Sequence, residues 1–127
     1  MSAPRFAITP KPPYYIVSFT SQRTPADDAG YDRMADLMVE LGSAMPGFLG
    51  VESTRNADGF GITLSYWASE AAILAWREQA THILAQETGK NRWYAQYEVR
   101  VAKVERAYSG PQGRVRKRSQ ARRETQA

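Results

Sequence analysis

The stretch Tyr14-Tyr-Ile-Val-Ser-Phe-Thr-Ser21 restricts the possible folds more than any other. Aromatic and β-branched residues dominate it, so it reads as a β-strand. A strand sends successive side chains to opposite faces. Here both faces are apolar, with Tyr15, Val17 and Phe19 on one and Tyr14 and Ile16 on the other. A sheet with one wet face alternates cleanly between apolar and polar. This strand does not, so it requires cover on both sides.

The elements after it follow from local chemistry. Asp28 suits an N-cap, and Tyr31, Met34, Met38, Leu41 and Met45 keep helical spacing as far as the Pro46-Gly47 stop. Phe48 to Arg55 reads as a second strand. The turn residues Asn56-Ala-Asp-Gly59 then send Phe60 to Trp67 back as a hairpin. Ser69 is a fitting N-cap for a second helix that runs to about Glu87, with Gly89 beyond it. Trp93 to Ala107 reads as the last strand. Tyr97, Val99 and Val101 are in phase there, then the phase slips to Ala102 and Val104, as a bulge or a change of cover would cause.

The order β-α-β-β-α-β is the ferredoxin-like arrangement, an α+β fold with two helices on one face of a four-stranded antiparallel sheet. Two helices shield one face only. The simplest cover for the other is a second copy of the chain, giving a homodimer packed sheet on sheet as a barrel. The expected organisation is an extended Pro-rich arm over 1–13, the folded domain over 14–109 and a tail over 110–127.

Composition removes several function classes. With no cysteine, disulfides, thiol nucleophiles and cysteine-held clusters are excluded. A single histidine and scattered carboxylates suggest no metal site. No apolar run approaches membrane-spanning length and no signal-peptide pattern opens the chain, so a cytoplasmic location is expected. Arg114, Arg116, Lys117, Arg118, Arg122 and Arg123 place the excess positive charge in the tail. Without interleaved aromatics the tail reads as a disordered solubilising end, which argues against nucleic acid as a partner.

The segment Trp67 to Gln86 holds most of the candidate site. At roughly 100° per residue, Ala72, Ile73, Ala80, Ile83 and Leu84 share a stripe with Trp76 that should face the sheet. Trp76 is then core or pocket wall. His82 falls off the stripe, as a surface residue near Glu78 or a general base at a cavity edge. Gln86 lies nearer the stripe and suits a hydrogen bond to a polar ligand group. Trp67, Trp93, Tyr94 and Tyr97 suit core, interface or an aromatic mouth, with the Thr63 and Ser65 hydroxyls beside them. Arg92 and Arg100 are either candidate attractors for an anion or exposed charges that only solvate the surface.

Taken together, PPYYIVSFTS, GYDRMADLM, PGFLGVES, ITLSYWASEAAILAWR and WYAQYEVRVAKVERAYS resemble the antibiotic biosynthesis monooxygenase superfamily. The resemblance covers Pro12 to Tyr108 and implies a dimeric α+β barrel. It also implies oxygenation of a phenolic or quinol-type compound without a cofactor, with a small aromatic molecule as ligand. On that reading Trp67, Trp76, Gln86, Trp93 and Tyr97 bind substrate and His82 is the catalytic candidate. Heme-degrading relatives carry an Asn on the first strand and a Trp and a His at fixed spacing on the second helix. Trp76 matches their Trp, but Gln86 stands where the His belongs and the first strand has no Asn, which argues against heme degradation. The alternative is a binding or sensing dimer that keeps the fold without catalysis.

Overall fold

A computed structural model describes residues 5–25, 28–88 and 94–111, without the side chains of residues 28, 29 and 83–88. The elements are β1 (Tyr14–Arg23), α1 (Asp28–Ser43), β2 (Phe48–Arg55), β3 (Phe60–Trp67), α2 (Glu70–Thr88) and β4 (Tyr94–Val104). The strands form one antiparallel sheet in the order β2-β3-β1-β4. This is the ferredoxin-like α+β arrangement expected from the element order.

Local chemistry accounts for the joints. In the β2–β3 hairpin, Asn56 N–H donates to the Phe60 carbonyl at 2.8 Å, and Gly59 takes φ 95°, a conformation open to glycine. The turn is fastened to the end of β1, where Arg23 N–H donates to the Gly59 carbonyl at 2.9 Å and Gln22 Nε2 to the Asp58 carbonyl at 2.7 Å. Ser69 caps α2 as expected, its Oγ accepting from Ala72 N–H at 3.1 Å.

Cross-strand partners share a face, so the register sorts the sheet into two sides. Tyr15, Val17, Phe19 and Ser21 face the helices, as do Trp67, Ser65, Thr63 and Gly61 opposite them on β3. Tyr14, Ile16, Tyr66 and Leu64 occupy the outer face. The two apolar phases of β1 thus lie on opposite faces of the sheet, one toward the helices and one outward.

Two features differ from expectation. The phase slip on β4 involves no bulge at Val101–Ala102, where the register is regular; the irregularity lies at Gln22/Arg23, opposite Gln96 and Tyr94. Val101 faces the helix side and Val104 pairs with Tyr14 on the outer face, so the slip records a change of cover. The outer face is also covered in part by the chain itself. Ala7 N–H donates to Glu52 Oε2 at 2.8 Å, Tyr66 OH donates to Glu52 Oε1 at 2.5 Å, and Thr9 Oγ1 donates to Tyr14 OH at 3.1 Å. The Pro-rich arm therefore crosses the outer face, and Tyr14 is only 5% exposed beneath it. A Cβ on Gly50 would stand 2.9 Å from Ala7 Cβ, so glycine is what admits the arm so close. The basic tail from residue 112 lies outside the described residues.

Candidate functional site

The helix-side face is a ladder of four rungs. Phe48, Trp67, Tyr15 and Lys103 form the first, followed by Val51, Ser65, Val17 and Val101. Ser53, Thr63, Phe19 and Val99 form the third, and Arg55, Gly61, Ser21 and Tyr97 the fourth. From Tyr15 to Ser21 the face runs about 20 Å, at roughly 3.3 Å per residue.

Aromatic side chains close the first end. Trp67 is 1% exposed and stacks on Trp76 of α2, with ring centres 6.4 Å apart and planes 21° from parallel. Phe48 meets the Trp67 ring edge-on at 5.4 Å. Trp67 Nε1–H donates to Ser65 Oγ at 2.9 Å, which fixes the indole and occupies that hydroxyl. Gly42 of α1 lies beside Trp76, where an added Cβ would stand 3.4 Å from Cζ2, an ordinary contact.

The opposite end is aromatic and cationic. Phe19 touches Tyr94 and Tyr97, both with centres at 5.3 Å, and Tyr31 of α1 packs on Tyr94 at 5.8 Å. Arg23 Cζ lies 3.8 Å from the centre of the Tyr31 ring, a cation–π contact, and Arg55 Cζ lies 5.7 Å from it. Tyr94 OH donates to Tyr31 OH at 3.4 Å. Burial pushes the Tyr94 phenol well above its ordinary range, and the Tyr31 hydroxyl adds to this; Arg55 and Arg23 pull weakly the other way. Tyr94 is therefore a neutral hydrogen-bonding group near pH 7.

Between these ends runs an apolar strip that the helices leave uncovered. Val99 is 53% exposed, and Val101 and Tyr97 are each 51% exposed, although all three face the helix side. We call this open helix-side strip over β1 and β4 the trough. The Thr63 hydroxyl shares a 2.8 Å hydrogen bond with Ser53 Oγ.

The sequence candidates fall in different places. Trp67 and Trp76 meet at the first end and Tyr97 stands at the other. His82 lies on the exposed side of α2. Gln86 belongs to α2, but its side chain lies outside the described residues, as do Trp93 and Arg92 entirely. Arg100 pairs with Ser18 and so belongs to the outer face, away from the trough. Arg23, Arg55 and Gly61 were not candidates. Gly61, inside β3 and directly across the hairpin from Arg55, was the available signal, since glycine within a strand marks a close approach.

Residues 15–88 match the profile of the antibiotic biosynthesis monooxygenase family. The chain belongs to that family. The relatives include YqjZ of Bacillus subtilis, an uncharacterised protein 54% identical over 77% of this chain and 85% of its own. A jasmonate monooxygenase of Pyricularia oryzae is 39% identical over 71% of this chain, a match that spans 43% of the longer fungal protein. Among solved structures, SnoaB of Streptomyces nogalater, a cofactor-independent oxygenase, superposes with a TM-score of 0.59 at 13% identity, over 77% of this chain and 98% of its own. A dimeric ferredoxin-like protein of Thermobifida fusca gives 0.58 at 8% identity, over 78% and 99%. At such identities these two establish the ferredoxin-like fold and nothing finer. Among the described residues no helix is long and apolar enough to cross a membrane.

Proposed function

We propose that the protein is a cytoplasmic monooxygenase that oxygenates a small aromatic, quinol-type compound in the helix-side trough without a bound cofactor. The observation that carries this reading is the exposed apolar strip Tyr97, Val99 and Val101, turned toward the protein's own helix layer. Exposed apolar area turned toward a protein's own helix layer suits an apolar ligand. Family membership and the activities named for the fungal and Streptomyces proteins support the chemistry.

The chemistry demands little of the protein. An electron-rich ring that has lost a proton can itself reduce dioxygen. One oxygen atom ends on the ring and the other leaves as water, taking the two hydrogens that the substrate gives up, so a phenol becomes a quinone. The trough must hold the ring, keep water away and accept a proton. Trp76 and Tyr97 contact the ring, with Trp67 buried against Trp76; Trp93 and Gln86 are assigned to substrate binding from the sequence, and His82 takes the proton from the α2 side. The exposure of His82 favours a second reading, in which the trough binds an aromatic ligand and catalyses nothing.

The functional unit in this proposal is a homodimer joined through the outer sheet faces. Phe60 and Ile62 are exposed there, Phe6 and Ile8 of the arm are exposed as well, and the Thermobifida fusca neighbour is dimeric.

Oxygen uptake with small quinols decides between the readings. Wild type should consume oxygen faster than buffer, Trp76→Ala should lose most of that rate, and His82→Ala should lower it by about 10²-fold or more. Uptake at the buffer rate in all three proteins would reject catalysis for this substrate class.

A further inference from the structure

Arg55 is the last residue of β2, yet its side chain does not turn to solvent. It crosses β3 at Gly61, where a Cβ would stand 2.8 Å from Arg55 Cζ, and reaches β1, where Nη2 donates to Ser21 Oγ at 2.8 Å. Nη1 donates to the Gly59 carbonyl, and the Tyr31 ring lies 5.7 Å from Cζ. Ser21 is 2% exposed, so the guanidinium rests on a buried rung of the sheet. Both oxygens it bonds are neutral, and no carboxylate among the described residues pairs with it.

A half-buried guanidinium without a counter-ion has lost hydration that neutral acceptors only partly restore. It stands on the same rung as Tyr97 and one rung from Phe19 and Val99, at the end of the apolar strip. A ligand lying along that strip would present its terminal group to Arg55. We propose that Arg55 determines specificity for a carboxylate, so that the trough takes an aromatic carboxylate with its ring along Phe19, Val99 and Tyr97. The inference rests on the trough being the substrate site and adds the charge of the substrate to it.

The test compares 2-naphthoate with its neutral isostere 2-naphthamide, by titration calorimetry on the full chain. In wild type the acid should bind about tenfold tighter or more, and added salt should erode that advantage. Arg55→Gln should abolish the preference while leaving the amide's affinity within about twofold. Arg55→Lys, which keeps the charge, should retain part of it. Equal affinity for acid and amide in wild type would overturn the inference while leaving the trough as an aromatic site. So would a preference that survives Arg55→Gln, or a variant that loses melting temperature without losing discrimination, because Arg55 would then only stitch the hairpin to β1. Binding of neither probe would refute the trough itself as an aromatic site, and the carboxylate with it. The wild-type comparison needs no variant, so poor folding of Arg55→Gln cannot obscure the result.

Discussion

Two glycines that look equivalent as letters have opposite roles at the residue scale. Gly47 adopts φ 88°, and a Cβ there would stand 2.6 Å from Ala72 Cβ. Gly47→Ala combines left-handed backbone strain with a clash, and should destabilise the protein by about 2 kcal/mol or more in urea denaturation. Gly42 has a helical backbone, and an added Cβ would reach ordinary contact with Trp76 at 3.4 Å. Gly42→Ala should be neutral or stabilising by up to about 1 kcal/mol in the same experiment, because alanine favours the helix. The pair separates a glycine required by the fold from one that only lies beside an indole. Loss of stability in Gly42→Ala would mean that Trp76 is more tightly held against α1 than its half-buried state indicates.

Among the elements, β4 and the arm behave least as their local sequence suggests. The strands, both helices, the hairpin turn and the Ser69 cap follow from period, turn residues and capping chemistry, all carried within a few adjacent positions. The bulge at Gln22/Arg23, the reach of Arg55 to Ser21 and the crossing of the outer face by Ala7 depend on partners 34 to 45 residues away or on neighbouring strands. No local periodicity records those. The same distant contacts bury two phenols, Tyr94 between β4 and α1 and Tyr66 beneath the arm, and burial raises both well above the usual tyrosine value of 10.0, with Glu52 adding to the shift at Tyr66. A phenol held neutral in the fold contributes its full stability below the unfolded value. Above it the unfolded chain releases the proton while the fold retains it, so stability falls as pH rises past about 10. Tyr94, the more deeply buried of the two, should add up to about 1.4 kcal/mol per pH unit to that fall, and Tyr66 less because solvent screens it. Tyr94→Phe should therefore show a shallower decline than wild type when unfolding free energy is measured from pH 9 to pH 12, a range set by the ordinary tyrosine value of about 10. Parallel declines would show that Tyr94 ionises as freely in the fold as out of it.

For the whole molecule, the sheet has two apolar faces with different covers. The helices and the trough occupy one, while the arm and, in the proposed dimer, a second copy share the other. Sedimentation should give twice the chain mass of 14.2 kDa, and Ile62→Asp on the outer face should halve it. Sedimentation of wild type as a single copy at high concentration would remove the dimer and leave Phe60, Ile62, Phe6 and Ile8 without a partner. The stacked indoles of Trp67 and Trp76 have a further use. Two chromophores held nearly parallel at close range share their excited states, so the pair should produce a split band in far-ultraviolet circular dichroism. A molecule that slides in against Trp76 would tilt one of them and change the band, which gives the protein a built-in optical gauge of occupancy that works for compounds never turned over.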